Sequence, residues 1–243
     1  MNIIKLNATD STNTYLKQLA KETQLPDETV VVTDRQLSGR GQMGNGWLSR
    51  AGQSLTFSLF KGFEGLLAER QFMISMVVSV AISEVLIRLE VPGISIKWPN
   101  DILSADRKIG GVLIENVLDG RWVKYAVIGI GLNVNETAFA HLPKASSLKM
   151  ETGKTFELEA VRDAILAQVF KNLKNLPTTD FVVLKNRYED YLFRKGTVSV
   201  FKTPGGARFN GVIKGVSGMG ELIVGTENAQ HFKFQLKEVK LIY

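Results

Sequence analysis

Apolar residues along this chain follow two rhythms, and the rhythm changes several times. After Asp10-Ser11, which has the residue types of a helix N-cap, TNTYLKQLAKE puts Tyr15, Leu16 and Leu19 on one helical face. Pro26-Asp27 reads as a turn, residues 29–33 (TVVVT) as a buried strand, and residues 54–60 (SLTFSLF) as an alternating strand. Residues 66–89 predict one long helix that stops near Pro92-Gly93. Within it Ser75, Ser79 and Ser83 recur every fourth residue and are followed by Glu84. That is a polar stripe on a buried helix rather than a membrane span.

Strand signals follow. ISIKW is stopped by Pro99, Ala105-Asp106-Arg107 turns into KIGGVLIENVL, and Asp119-Gly120 is a hairpin signal that returns RWVKYAVIGIGLNV antiparallel. Residues 156–175 and 179–193 read as helices. From Gly196 onward short β-rich runs (TVSVF, FNGVIKGV, ELIVG, HFKFQL, VKLIY) alternate with Gly-rich turns. The change predicts a domain boundary: residues 1–194 form one domain, and residues 195–243 a small all-β barrel of SH3-like size. In that tail Phe201, Phe209, Phe232 and Phe234 alternate as core residues would.

Composition narrows the chemistry. The 243 residues contain no cysteine and only two histidines, His141 and His231. Disulfides, thiolate nucleophiles, cysteine-ligated metals and most histidine triads are excluded, and no resident metal site is expected. The N-terminus MNIIKLNATD has neither the basic start nor the apolar core of a signal peptide, so a soluble cytoplasmic protein is expected. Thirty Lys and Arg against 24 Asp and Glu give a formal charge of +6. The basic residues are dispersed and form no run, which points to nucleotide phosphates or an acidic partner protein rather than to nucleic acid.

Four segments could carry chemistry. Ser38-Gly39-Arg40-Gly41-Gln42-Met43-Gly44-Asn45-Gly46-Trp47 is a Gly-rich loop with one arginine. Glycines let backbone N–H groups approach phosphate oxygens, and a guanidinium adds bidentate charge, though no P-loop spacing is present. Lys97-Trp98-Pro99-Asn100-Asp101 sets a lysine, an amide and a carboxylate at a strand end; each alone would read as a solvated charge or a turn cap. Lys108-Ile109-Gly110-Gly111 opens a strand that its glycines weaken, as where a ligand or backbone comes close. Gly129-Ile130-Gly131-Leu132-Asn133 lacks the third glycine and the helix of a dinucleotide-binding turn; its alternate glycines would instead flatten one strand face for a flat ligand.

Taken in order, these segments resemble the biotin protein ligases. The matching motifs are Ser11-Thr12-Asn13, Gln36 before Gly39-Arg40-Gly41, Lys97 to Asp101, Lys108 with Gly111-Val112-Leu113-Ile114-Glu115, and Gly129-Ile130-Gly131-Leu132-Asn133-Val134-Asn135. The resemblance covers residues 11–135, and the tail of helices and small β unit fits as well. It implies an α+β fold: a mixed, largely antiparallel sheet with packed helices, like the class II synthetases, followed by the SH3-like barrel.

It also implies an activity. ATP and biotin, with Mg²⁺ on the ATP, give biotinyl-5′-AMP, and biotin then passes to a lysine of a biotin carboxyl carrier protein or domain. Ser11, Thr12, Asn13, Gln36, Arg40, Gly41, Gln42, Lys108, Gly111, Leu113 and Gly129 are the implied biotin residues. Gly39, Arg40, Trp47, Lys97, Asn100, Gly131 and Asn133 are those for ATP and the adenylate. Lys108 would neutralise charge at phosphorus, Arg40 would clasp the loop, and Asp101 would orient or deprotonate the acceptor lysine. The family's loop often reads GRGRxGR, whereas Gln42 and Asn45 here lower its charge. The winged helix of the ligase–repressors does not precede these motifs, so specific DNA binding is not expected; a homodimer is compatible with the resemblance. Two alternatives stay open, a lipoate-type ligase of related fold and a non-enzymatic nucleic-acid binder.

Overall fold

Seven strands build the main sheet: β1 (Asn2–Thr9), β2 (Thr29–Gln36), β3 (Ser54–Gly62), β4 (Ile94–Lys97), β5 (Asp101–Ser104), β6 (Arg107–Asp119) and β7 (Trp122–Asn133). Their spatial order is β1-β2-β3-β7-β6-β5-β4, and only the β1–β2 pair is parallel. The computed structural model describes residues 1–44, 46–139 and 142–243; Asn45 and His141, singled out above, lie outside the described residues.

Helices cover both faces. The chain's period-2 alternation divides the sheet between them: Val30, Ala126, Ile128 and Ile130 join the large core, while Val31 and Val127 join a smaller one with Leu16. The small core is closed by α1 (Thr12–Glu22). The large core is filled by α2 (Phe72–Arg88), backed by α4 (Leu158–Lys174) and α5 (Phe181–Asp190), and a short α3 (Leu148–Thr152) lies between β7 and α4. α2 is apolar nearly all round because it is buried nearly all round. The helical stretch from Ala68 to Arg88 is long and apolar enough to cross a bilayer, yet two-thirds of its apolar window (67%) is buried within this protein. Ser79 and Ser83 of the expected polar stripe point into that core, and Glu84 reaches Arg187 of α5.

The β unit expected after residue 195 is a five-stranded antiparallel sheet. It comprises β8 (Val198–Lys202), β9 (Arg208–Val216), β10 (Leu222–Gly225), β11 (His231–Phe234) and β12 (Lys240–Ile242), in the order β11-β10-β9-β8-β12. Phe201, Phe209 and Phe234 stack on its inner face. Phe232, expected among them, is 44% exposed because β11 is an edge strand. The inner face continues the large core rather than forming a separate one. Two polar contacts fix the join: Trp98 Nε1 donates to the Gly220 carbonyl at 2.8 Å, and the Val216 N–H donates to Glu189 Oε1 at 2.9 Å.

The elements expected from the sequence are present, with three additions. β1, β5 and α3 are not among them, and the helix expected from residue 66 begins at Phe72 after a 3-10 turn at Ala68–Arg70.

Candidate active site

The site lies on the α1 side of the sheet, where β3, β7 and β6 run side by side. Register places Thr56 beside Gly131 and Ser58 beside Gly129; across β7, Gly131 faces Gly111 and Gly129 faces Leu113. Directly paired residues share a face, so three glycines, two small hydroxyls and one leucine make a floor with little side-chain volume. Above it is a cavity of about 350 Å³.

The glycines are required by what lies over them. A Cβ on Gly129 would run into the Asn13 carboxamide oxygen, and one on Gly131 would run into the Trp47 indole. Asn13 is tied down at both ends: its Oδ1 accepts from Ser58 Oγ at 2.6 Å, and its Nδ2 donates to the Leu113 carbonyl at 3.3 Å and to Glu115 at 3.1 Å. Its polar atoms are thus committed to holding the start of α1 to β3 and β6, across the β7 strand between them. Thr12 is bound to Gln36, whose Oε1 accepts from the Thr12 N–H at 2.9 Å. Ser11 stands at the helix N-cap as expected, but its hydroxyl makes no cap hydrogen bond and faces the cavity.

At the other end are charges. Lys108 Nζ lies 2.5 Å from Asp101 Oδ1, and Lys97 Nζ lies 3.3 Å from Asp101 Oδ2. Asn100 is buried and spends its Nδ2 on the Val112 carbonyl, tying the β4–β5 turn to β6. Trp47 walls the cavity between Gly131 and Lys108, whose Nζ is 5.9 Å from the ring centroid. Its indole N–H is buried and has no partner among the described residues. The Gly-rich loop folds back on itself: the Trp47 N–H donates to the Gly39 carbonyl at 2.9 Å, and Arg40 bridges to Gly46.

Most of the residues expected at the site therefore meet in one cavity: Ser11, Thr12, Asn13, Gln36, Arg40, Gly41, Gln42, Trp47, Asn100, Asp101, Lys108, Gly111, Leu113, Gly129 and Gly131 all line it. Three do not. Gly39 packs against the Trp47 backbone, where a side chain would collide with it. Lys97 is held outside by Asp101. Asn133 is buried and donates from Nδ2 to the Ser146 carbonyl at 3.0 Å, fastening the segment before α3 to β7. Residues not expected there also appear. Lys237, from the turn before β12, lines the cavity. Tyr243 lies under two cations, with Lys144 Nζ 3.7 Å and Lys97 Nζ 5.6 Å from its ring centroid. Burial raises the Tyr243 phenol above its ordinary pKa, and the negative charges of Asp101 and Asp106 push it the same way.

A small-residue slot with uncharged hydrogen-bonding groups at one end and a lysine–carboxylate cluster with a Gly-rich loop at the other is the layout of a carboxylate-activating ligase. The chain belongs to the biotin/lipoate A/B protein ligase family, whose profile matches residues 6–133. It is 30% identical over 226 residues to the biotin–acetyl-CoA-carboxylase ligase of Paracoccus denitrificans, covering 90% of this chain and 92% of that one. It is also 30% identical over 231 residues to the bifunctional ligase/repressor of Bacillus subtilis, covering 93% of this chain and 70% of that protein. The fold is similar to biotin protein ligase from Aquifex aeolicus in complex with biotin and ATP, with a TM-score of 0.79, 30% identity, and 99% and 98% of the two chains covered.

Proposed function

We propose that this chain is an ATP-dependent biotin protein ligase, which activates biotin as biotinyl-5′-AMP and transfers it to a lysine of a biotin carboxyl carrier domain. The observation that carries the reading is the convergence of five separated segments on one glycine-floored cavity with Lys108 at its charged end. The relatives named above support it.

In the first step a biotin carboxylate oxygen attacks the α-phosphorus of ATP. The bond from that phosphorus to the oxygen bridging to the β-phosphate breaks, and pyrophosphate leaves. In the second, a neutral lysine amine attacks the acyl carbon of the mixed anhydride, AMP leaves with the C–O bond electrons, and the amine loses a proton. Ser11, Thr12 and Gln36 offer the hydroxyl and amide groups that a ureido ring needs. The floor of Gly111, Leu113 and Gly129 takes the apolar body. Lys108 then stands where carboxylate and phosphate oxygens must meet, and fixed positive charge there stabilises the transition state. Arg40 closes the loop over the anhydride and keeps water out. Trp47 and Asn100 line the part left for the adenine. Lys97 acts through Asp101 rather than on phosphate directly.

Mg²⁺ would arrive with ATP and supply charge neutralisation at its phosphates. Among the described residues no three His, Asp or Glu side chains gather into an ion cage, which fits an ion held by phosphate oxygens and its own waters. Residues 1–194 would form the catalytic unit and residues 195–243 an SH3-like unit closing one side of it.

Biotin-dependent exchange between ATP and pyrophosphate tests the activity. Exchange with biotin and none with lipoate is the expected result; exchange with lipoate alone would move the chain to the lipoate branch of its family.

A further inference from the structure

The outer face of the small sheet carries a row of like charges. Lys240 of β12 is registered on Lys202 of β8, and Lys202 on Arg208 of β9. Residues paired in this way project from the same face with Cβ atoms only about 4.5–5.5 Å apart, an arrangement that destabilises the sheet when the charges are alike. All three are exposed, and among the described residues none makes a salt bridge or a side-chain hydrogen bond. Some lysines elsewhere are paired, as Lys185 and Lys195 are on Glu189, whereas these three stand in direct register with one another. An unrelieved row of three cations therefore calls for an anionic group from outside.

What lies beside the row says what kind. The neighbouring outward rows are largely aliphatic: Val200 between Ile242 and Asn210, then Val198 beside Val212. Val198 is 67% and Val200 38% exposed, and Val198 and Val212 line a shallow trough bordered by Lys214, His231 and Glu227. Aliphatic centre with a charged margin is the anatomy of a protein–protein contact. Single-stranded nucleic acid would call for exposed aromatic platforms among the cations, and the exposed aromatic of this unit, Phe232, belongs to the register of the inner face through its pairing with Val224.

The row is also placed for the reaction. It begins on β12, the strand between Lys237, which lines the cavity, and Tyr243, which lies against Lys97. We propose that Lys240, Lys202 and Arg208, with the adjacent valines, form the docking surface for an acidic face of the carrier protein whose lysine is modified. The inference rests on the ligase reading above for the identity of that partner. Complementary charge there would speed encounter and fix the orientation in which the acceptor lysine reaches the cavity.

The test compares the parent chain with K202E/R208E/K240E and, as a milder control for folding, K202Q/R208Q/K240Q. Biotin-dependent pyrophosphate exchange reads the first step, and transfer to a purified biotin carboxyl carrier domain reads the second. Exchange is expected within twofold of the parent in both variants. The KM for the carrier is expected to rise at least tenfold in the reversal variant and less in the neutral one, and the salt dependence that KM shows in the parent is expected to flatten in the neutral variant. Binding of the same carrier domain is measured directly as well, so docking is read even in a chain without exchange. Absence of exchange in the parent would remove the ligase reading, whereas a carrier Kd and KM unchanged by charge reversal would overturn the docking surface. A twenty-nucleotide oligothymidine that binds the parent, loses binding in the reversal variant, and leaves carrier binding untouched would overturn it too.

Discussion

Lys108 holds Asp101 at 2.5 Å, and that carboxylate is shared with Lys97 at 3.3 Å. Both carboxylate oxygens are thus already engaged, each by one ammonium group. The geometry of Asp101 suits it to aim Lys108 into the cavity, more than to take a proton from an incoming amine. Replacing Asp101 by Asn separates the two roles. Loss of both half-reactions, with pyrophosphate exchange down about tenfold or more, is expected of a residue that positions Lys108. Intact exchange with transfer alone impaired would restore Asp101 as a base for the acceptor lysine.

Lys108→Ala should lower pyrophosphate exchange by roughly a hundred- to a thousand-fold, the effect of about 3–4 kcal/mol lost from one transition-state charge contact. Because Asp101 keeps Lys97, the melting temperature should move little. Near-parental exchange by the folded variant would take Lys108 out of the chemistry.

The two β7 glycines make a stereochemical prediction. Gly129→Ala drives its Cβ against Asn13, and Gly131→Ala drives its Cβ against the Trp47 ring. Overpacking of this kind costs about 1–3 kcal/mol. Gly129→Ala should raise the KM for biotin, and Gly131→Ala should raise chiefly the KM for ATP. Equal effects on both substrates from either change would mean that the two ends of the slot are not separated as drawn.

Arg40 is the lone basic residue from Ser38 to Trp47, and it is exposed. Fixing a glycine loop costs about 1–2 kcal/mol of backbone entropy per residue, and Arg40 on an anionic ligand is the strongest offset in the loop. Arg40→Gly should still form biotinyl-AMP but release it, seen as a faster adenylate off-rate and as labelling of bystander lysines. An off-rate equal to the parent's would assign closure to other contacts.

Glu189 predicts a pH-dependent stability. Burial alone would raise its carboxyl pKa, but Lys185, the Val216 N–H and Lys195 outweigh it and hold the group below the ordinary value of 4.5. A pKa lower in the folded than in the unfolded chain contributes stability above the unfolded value and loses it as pH falls through the folded one. Glu189→Gln should cost about 1–3 kcal/mol at pH 7, the range for a broken hydrogen-bonded charge contact. The deficit should shrink as pH drops below about 4.5, the ordinary carboxyl value. Thermal melts of parent and variant at several pH values check it; a constant deficit from pH 7 to pH 3 would contradict the linkage.

The site was legible in the sequence to the extent that each motif sits on one strand end or one loop. The glycines at positions 129 and 131 show their purpose through alternation, since period 2 puts them on one face; Gly111 joins that face only through the β6–β7 register. Lys97 and Asn133 lie outside the cavity lining, which the sequence does not show: it places them next to the other motif residues but does not reveal that Asp101 and Ser146 claim their polar atoms. Lys237 and Tyr243 were not legible at all. Lys237 reaches the cavity, and Tyr243 reaches Lys97 beside it, because the small sheet docks through Gly220 on Trp98 and Val216 on Glu189, contacts that span 122 and 27 residues. β1 was missed because its pairing with β2 is parallel and bridges a whole helix, and β5 because four residues between two turns carry too little pattern.

β7 has one further consequence. Its odd-numbered residues Gly129 and Gly131 floor the cavity while its even-numbered residues Ile128 and Ile130 fill the large core. A slip of one position against β3 or β6 would thrust isoleucines into the slot and leave glycines where the core needs bulk. Stability and competence are thus checked by the same strand. A chain that has assembled this sheet wrongly cannot be a well-folded protein with a damaged slot, because the error that closes the slot also empties the core. Quality control that senses only exposed apolar surface would, for this protein, screen for activity as well.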